Sequence, residues 1–137
     1  MFYRRWDRTK GFKMSLKRLH PGKRMSQGVV RGNTVYLAGQ VADKTAGGAV
    51  GAQTAEILAQ IDALLAEAGT DKTRIVMATI YLADISTFAE MNAEWDKWVV
   101  EGETPARATV EAKLVAPEYK VEIAIVAALR GHSKHDA

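Results

Sequence analysis

The sequence predicts an α+β domain: a mixed β-sheet with two helices packed on one face. Three observations carry that reading. One is a long apolar stripe at helical spacing between residues 52 and 68. Another is a shorter helical stripe after residue 87. The third is a set of short β-rich runs, two of them nearly continuous in apolar residues. The chain has 137 residues, 47% of them hydrophobic and 26% charged, which suits one domain around one core.

Taken in order, His20-Pro21-Gly22 reads as a turn. Two short strands follow, residues 27–31 and 34–41, flanking Gly32-Asn33, a two-residue hairpin signal. Residues 42–51 contain Gly47-Gly48 and show no period, so they read as a loop. Ile57, Leu58, Ile61, Leu64, Leu65 and Ala68 share one helical face, and Gly69 stops that helix. The run 75–83 (IVMATIYLA) is nearly continuous in apolar residues and rich in β-branched and aromatic ones, as expected of a central strand covered on both faces. Thr87 to Glu90 has capping-box spacing and opens a second helix, with Phe88, Met91, Trp95, Trp98 and Val99 on one face and Gly102 at its end. Two final strands, about 106–114 and 120–129, complete the order β-β-α-β-α-β-β. In the last, Val121, Ile123 and Ile125 alternate with Glu122, Ala124 and Val126, so both sheet faces are largely apolar. Two helices cover only one of them, and the other is expected to pack against further subunits.

Charge and composition narrow the function. Residues 1–24 hold nine Lys or Arg and one acid, a net +8, and the remaining 113 residues carry a net −5. The overall +3 therefore belongs to an extension, and the acidic body makes nucleic acid an unlikely partner, since phosphate binding needs a basic surface. Residues 1–17 are expected to be a basic extension, disordered or vector-derived, with Met14 opening a second plausible start. Residues 18–129 form the domain, and 130–137 a tail. With no cysteine, thiolate metal sites, disulfides and cysteine nucleophiles are excluded. The three histidines lie in terminal segments without ligand spacing, so no metal is expected. No apolar run is long enough to cross a bilayer, and a cytoplasmic location without membrane contact is the expectation. No nucleotide-binding or serine-hydrolase motif occurs.

The sharpest chemical signal is Pro105-Ala106-Arg107-Ala108-Thr109-Val110 followed by Lys120-Val121-Glu122-Ile123. Alternation puts Arg107, Thr109 and Glu111 on one strand face, and Glu122 stands alone among apolar neighbours. The guanidinium of Arg107 fits either a substrate carboxylate, gripped bidentately, or Glu122 itself in a structural ion pair.

These residues, together with Ser26-Gln27-Gly28 and Leu37-Ala38-Gly39-Gln40-Val41 in the same order, resemble the Rid family, also called YjgF/YER057c/UK114, over roughly residues 18–129. The stretch 92–99 with Tyr119-Lys120-Val121-Glu122 is similar to one of its divergent bacterial branches. The resemblance implies a chorismate-mutase-like fold assembled as a homotrimer, with a small-molecule cleft at each subunit interface. It also implies hydrolysis of reactive enamines and imines, products of pyridoxal-phosphate dehydratases, to 2-keto acids and ammonia without a cofactor. By position, Arg107 matches the arginine that binds the substrate carboxylate, and Glu122 the glutamate that activates water. Thr109 stands where archetypal members have a pocket cysteine, and Asn92 matches a pocket asparagine. Met25 replaces a pocket tyrosine, and Ala38 a position that is often serine. An alternative of another class is a non-catalytic trimer that binds small carboxylates. The ribonuclease activity attributed to some relatives fits poorly with an acidic body that has no catalytic histidine.

Overall fold

The computed structural model describes residues 15–131; most of the proposed extension and of the tail lies outside them. Six strands form one sheet in the order β1-β2-β3-β6-β4-β5, with β1 Leu16–Pro21, β2 Ser26–Arg31, β3 Thr34–Leu37, β4 Ile75–Leu82, β5 Ala106–Glu111 and β6 Val121–Ala128. Helix α1 spans Val50–Ala68 and α2 Phe88–Trp98. Only β4 and β5 run parallel, joined across α2; every other pairing is antiparallel. This is the mixed sheet with two helices that the sequence predicts.

The core lies between the helices and one sheet face. Ile57, Ile61 and Leu65 of α1 are fully buried against Val35, Ile80, Ile123 and Ile125, and Met91 and Trp95 extend the same layer from α2. Gly69 sits at φ 87°, donating its N–H to Ala66 O, while Thr70 N donates to Leu65 O. That left-handed geometry ends α1 where the sequence predicts. The hairpin also forms at Gly32-Asn33, with Gly32 at φ 58°.

Three local expectations change. The first strand, β1, adds to the predicted elements, and the turn at His20-Pro21-Gly22 begins only after Pro21. Only Leu19 of its six residues is buried, so an edge strand of Lys, Arg and His carries no apolar alternation to betray it. His20 Nε2 lies 2.7 Å from Glu67 Oε1, tying the end of β1 to the last turn of α1. The capping box at Thr87 is not made either. Thr87 Oγ1 donates to Asp84 O, and Asp84 caps a 3-10 turn at Ile85–Thr87. Glu90 instead reaches across to accept from Gly51 N at 2.9 Å, supplying the first turn of α1 with an acceptor that Ala49 lacks. Finally, the strand expected over 34–41 stops at Leu37, and only Gln40 returns to the sheet, in an isolated bridge to Ile123.

The uncovered sheet face is largely apolar, as expected. It carries Val29, Tyr36, Met77, Ala124, Val126 and Val110, with Tyr36 51% and Val110 44% exposed.

Candidate functional site

Strand register decides where the two sharpest candidates point. In the parallel pair, Arg107 aligns with Ala78, Thr109 with Ile80 and Glu111 with Leu82, which are buried residues on the helix side. In the antiparallel pair, Glu122 aligns with Tyr81, on the open side. With β4 between them, Arg107 and Glu122 occupy opposite faces of one sheet. The structural Arg–Glu pair that the spacing allowed does not form within a protomer, because the two strands are not neighbours.

Arg107 is held by α2. Its Nη1 donates to Asn92 Oδ1 at 2.8 Å, and its guanidinium carbon lies 5.2 Å from the centre of the Trp95 ring and 5.6 Å from that of Phe88. Phe88, Asn92 and Trp95 recur at helical spacing, so one face of α2 presents both rings and the amide. Partial burial pulls the guanidinium below its ordinary pKa, and Asp96 opposes that shift; the group stays cationic at physiological pH. Asn92 occupies one Nη1 hydrogen, and the Nε–Nη2 edge has no partner among the described residues. That edge is the geometry for a bidentate carboxylate contact. Two residues along the same face, Thr109 Oγ1 is buried without a hydrogen-bond partner, a condition that a bound polar ligand relieves.

Glu122 lines a cavity of about 310 Å³ with Gly39, Tyr81, Lys113, Leu114 and Ala124. Gly39 makes room for the carboxylate: a Cβ there would lie 2.0 Å from Glu122 Oε2. The segment carrying Gly39 is fixed from both sides. Gln40 N donates to Ile123 O at 2.9 Å and Ile123 N to Gln40 O at 3.1 Å. The Gln40 side chain donates to Gln27 Oε1 and Ala38 O and accepts from Gln60 Nε2. A larger cavity of about 690 Å³ adjoins through Lys113 and Leu114, lined further by Glu111, Pro117 and Tyr119. Tyr119 is committed to the Asp43 carboxylate, which raises its phenol pKa.

The predicted site residues therefore fall into separate groups within one protomer. Arg107, Asn92 and Thr109 share the helix side, and Glu122 the open side. Ala38 is half-buried and precedes Gly39, contributing its carbonyl to Gln40. Met25, 50% exposed, lies in the turn after β1 and lines neither cavity. Residue patterns did not single out Tyr81 or Lys113, and they placed Phe88 and Trp95 on one helix face without linking that face to Arg107. Among the described residues no group of three His, Asp or Glu could hold a metal ion, and no helix is long and apolar enough to cross a membrane.

Known proteins share this arrangement of strands. The family model described as Endoribonuclease L-PSP matches residues 15–129. A RutC family protein of Haemophilus influenzae is 45% identical over 83% of this chain and 98% of its own length. The RutC family protein YoaB of Escherichia coli is 47% identical over 85% and 100%. The chain belongs to the YjgF/RutC family, also called Rid. The crystal structure of a YjgF family member from Neisseria meningitidis superposes with a TM-score of 0.80 at 45% identity, covering 86% of this chain and 98% of that one. A more distant YjgF/YER057c/UK114 member from Mycobacterium tuberculosis reaches 0.74 at 25% identity, covering 84% and 100%. Between this chain and that Rid member the fold persists while three residues in four differ.

Proposed function

We propose that this Rid protein hydrolyses reactive imines and enamines to 2-keto acids and ammonia, in the cytoplasm, at clefts between the subunits of a homotrimer. The observation that carries the reading is the placement of Arg107 and Glu122. One offers an unoccupied guanidinium edge beside an orphaned hydroxyl, and the other a carboxylate in a cavity, on opposite faces of one sheet. A second copy packed on the apolar open face brings the Glu122 side of one protomer to the Arg107 edge of its neighbour. The anchor and the base then share one cleft.

In that cleft Arg107 grips the carboxylate of a 2-imino acid and fixes its orientation. Glu122 takes a proton from water as the oxygen attacks the imine carbon, and the carbon–nitrogen π pair moves to nitrogen. The proton passes to nitrogen, giving a carbinolamine. Collapse to the ketone expels ammonia, with Glu122 relaying the hydroxyl proton. No electron leaves or enters, so the chemistry calls for no redox cofactor.

The test generates 2-iminobutyrate with an amino-acid dehydratase and traps it with semicarbazide. Added protein is expected to suppress the trapped adduct. The alternative, a trimer that binds small carboxylates without turnover, draws on Met25 and Ala38, which put no polar side chain toward a ligand. It predicts 2-oxobutyrate binding with no suppression of the adduct.

A further inference from the structure

Tyr81 is the residue directly opposed to Glu122 across the β4–β6 pair, and both side chains stand on the open face. Residues opposed in this way have Cβ atoms about 4.5–5.5 Å apart. Tyr81 also lines the same cavity of about 310 Å³, where Ala112, Leu114, Val115 and Ala124 add only apolar surface. The cavity therefore contains one carboxylate, one phenol and one ammonium, from Lys113. Tyr81 is half-buried, its hydroxyl is not one of the buried polar atoms that lack a partner, and among the described residues it makes no hydrogen bond, so it is free to meet a water in the cavity. Tyr119, the nearest comparison, is already bound to Asp43.

We propose that Tyr81 is a catalytic residue, its hydroxyl hydrogen-bonding the water that Glu122 activates and then the carbinolamine oxygen formed from it. The inference rests on the hydrolase reading and deepens it. Glu122 accepts the water proton and passes it to nitrogen. Tyr81 donates a hydrogen bond to the oxygen throughout and neither gains nor loses a proton overall. A carboxylate alone leaves the attacking water one of its directions free, and a second, fixed partner restricts the water to the line of attack.

The experiment compares wild type with Tyr81→Phe, which keeps the ring and removes only the oxygen. Melting temperature, imine turnover and 2-oxobutyrate affinity are measured on both, and isotope-labelled tyrosine is followed by NMR during the 2-oxobutyrate titration. The expected result is an unchanged melting temperature and KM, with kcat lower by about 10- to 100-fold. Wild-type turnover in folded Tyr81→Phe overturns the proposal. If wild type itself does not hydrolyse the imine, the hydrolase reading fails, and Tyr81 fails with it as a catalytic residue. The titration then tells the two failures apart. A Tyr81 resonance that shifts with 2-oxobutyrate keeps the residue in the ligand site, whereas an unmoved one removes it from the site as well.

Discussion

Among the described residues Arg107 makes one side-chain hydrogen bond, to Asn92, and it rests against Trp95, which is only 5% exposed. Its position is fixed by packing while one edge stays available. Arg107→Lys keeps the charge but loses the planar fork and the stacking, so 2-oxobutyrate affinity measured by calorimetry is expected to fall about 10- to 100-fold. Gly39 acts on the other group. A methyl at that position meets the tip of the Glu122 side chain rather than backbone, so Gly39→Ala is expected to fold normally and displace the carboxylate. A displacement on the order of 1 Å costs about 100-fold in rate. Steady-state turnover alongside a thermal melt checks this: a lowered melting temperature with normal turnover would place the glycine in the fold rather than in the site.

At the scale of elements, α1 ends on Gly69 in the left-handed region. Gly69→Ala is expected to lower stability by about 1–2 kcal/mol, read from urea unfolding, because a Cβ there crowds the following carbonyl. That stop was legible from the sequence, as were both helices, the hairpin at Gly32-Asn33 and the central strand, since each has a strong local signature. The edge strand β1 was not legible, because with one buried side chain it owes its existence to pairing with β2. The cap on α1 was equally hidden: Glu90 lies 39 residues from Gly51, and no local pattern links them. The site divides the same way. Arg107 and Glu122 stood out as charges inside strands. Their placement on opposite faces depends on β4 lying between β5 and β6 and on its register with each, which is a property of topology. Tyr81 was hidden inside an apolar run until its register partner was known.

At the scale of the whole molecule, the apolar open face and the division of the site point to the same assembly. A homotrimer of about 45 kDa, three times the 15.0 kDa chain, is expected by light scattering, and a 15.0 kDa monomer at micromolar concentration would contradict the shared cleft. A second test uses the division itself. Co-assembled subunits carrying Arg107→Lys and Glu122→Gln should regain part of the turnover that each variant lacks alone, because some clefts then combine an intact arginine with an intact glutamate. No recovery in a verified mixed trimer would place both groups in one subunit's contribution.

The measurement that bears most directly on the proposed hydrolysis is imine turnover and 2-oxobutyrate affinity in Glu122→Gln. The substitution preserves shape and removes the proton acceptor. Turnover should fall about 100- to 10,000-fold while binding through Arg107 persists. Wild-type turnover in the folded variant would contradict the role given to Glu122.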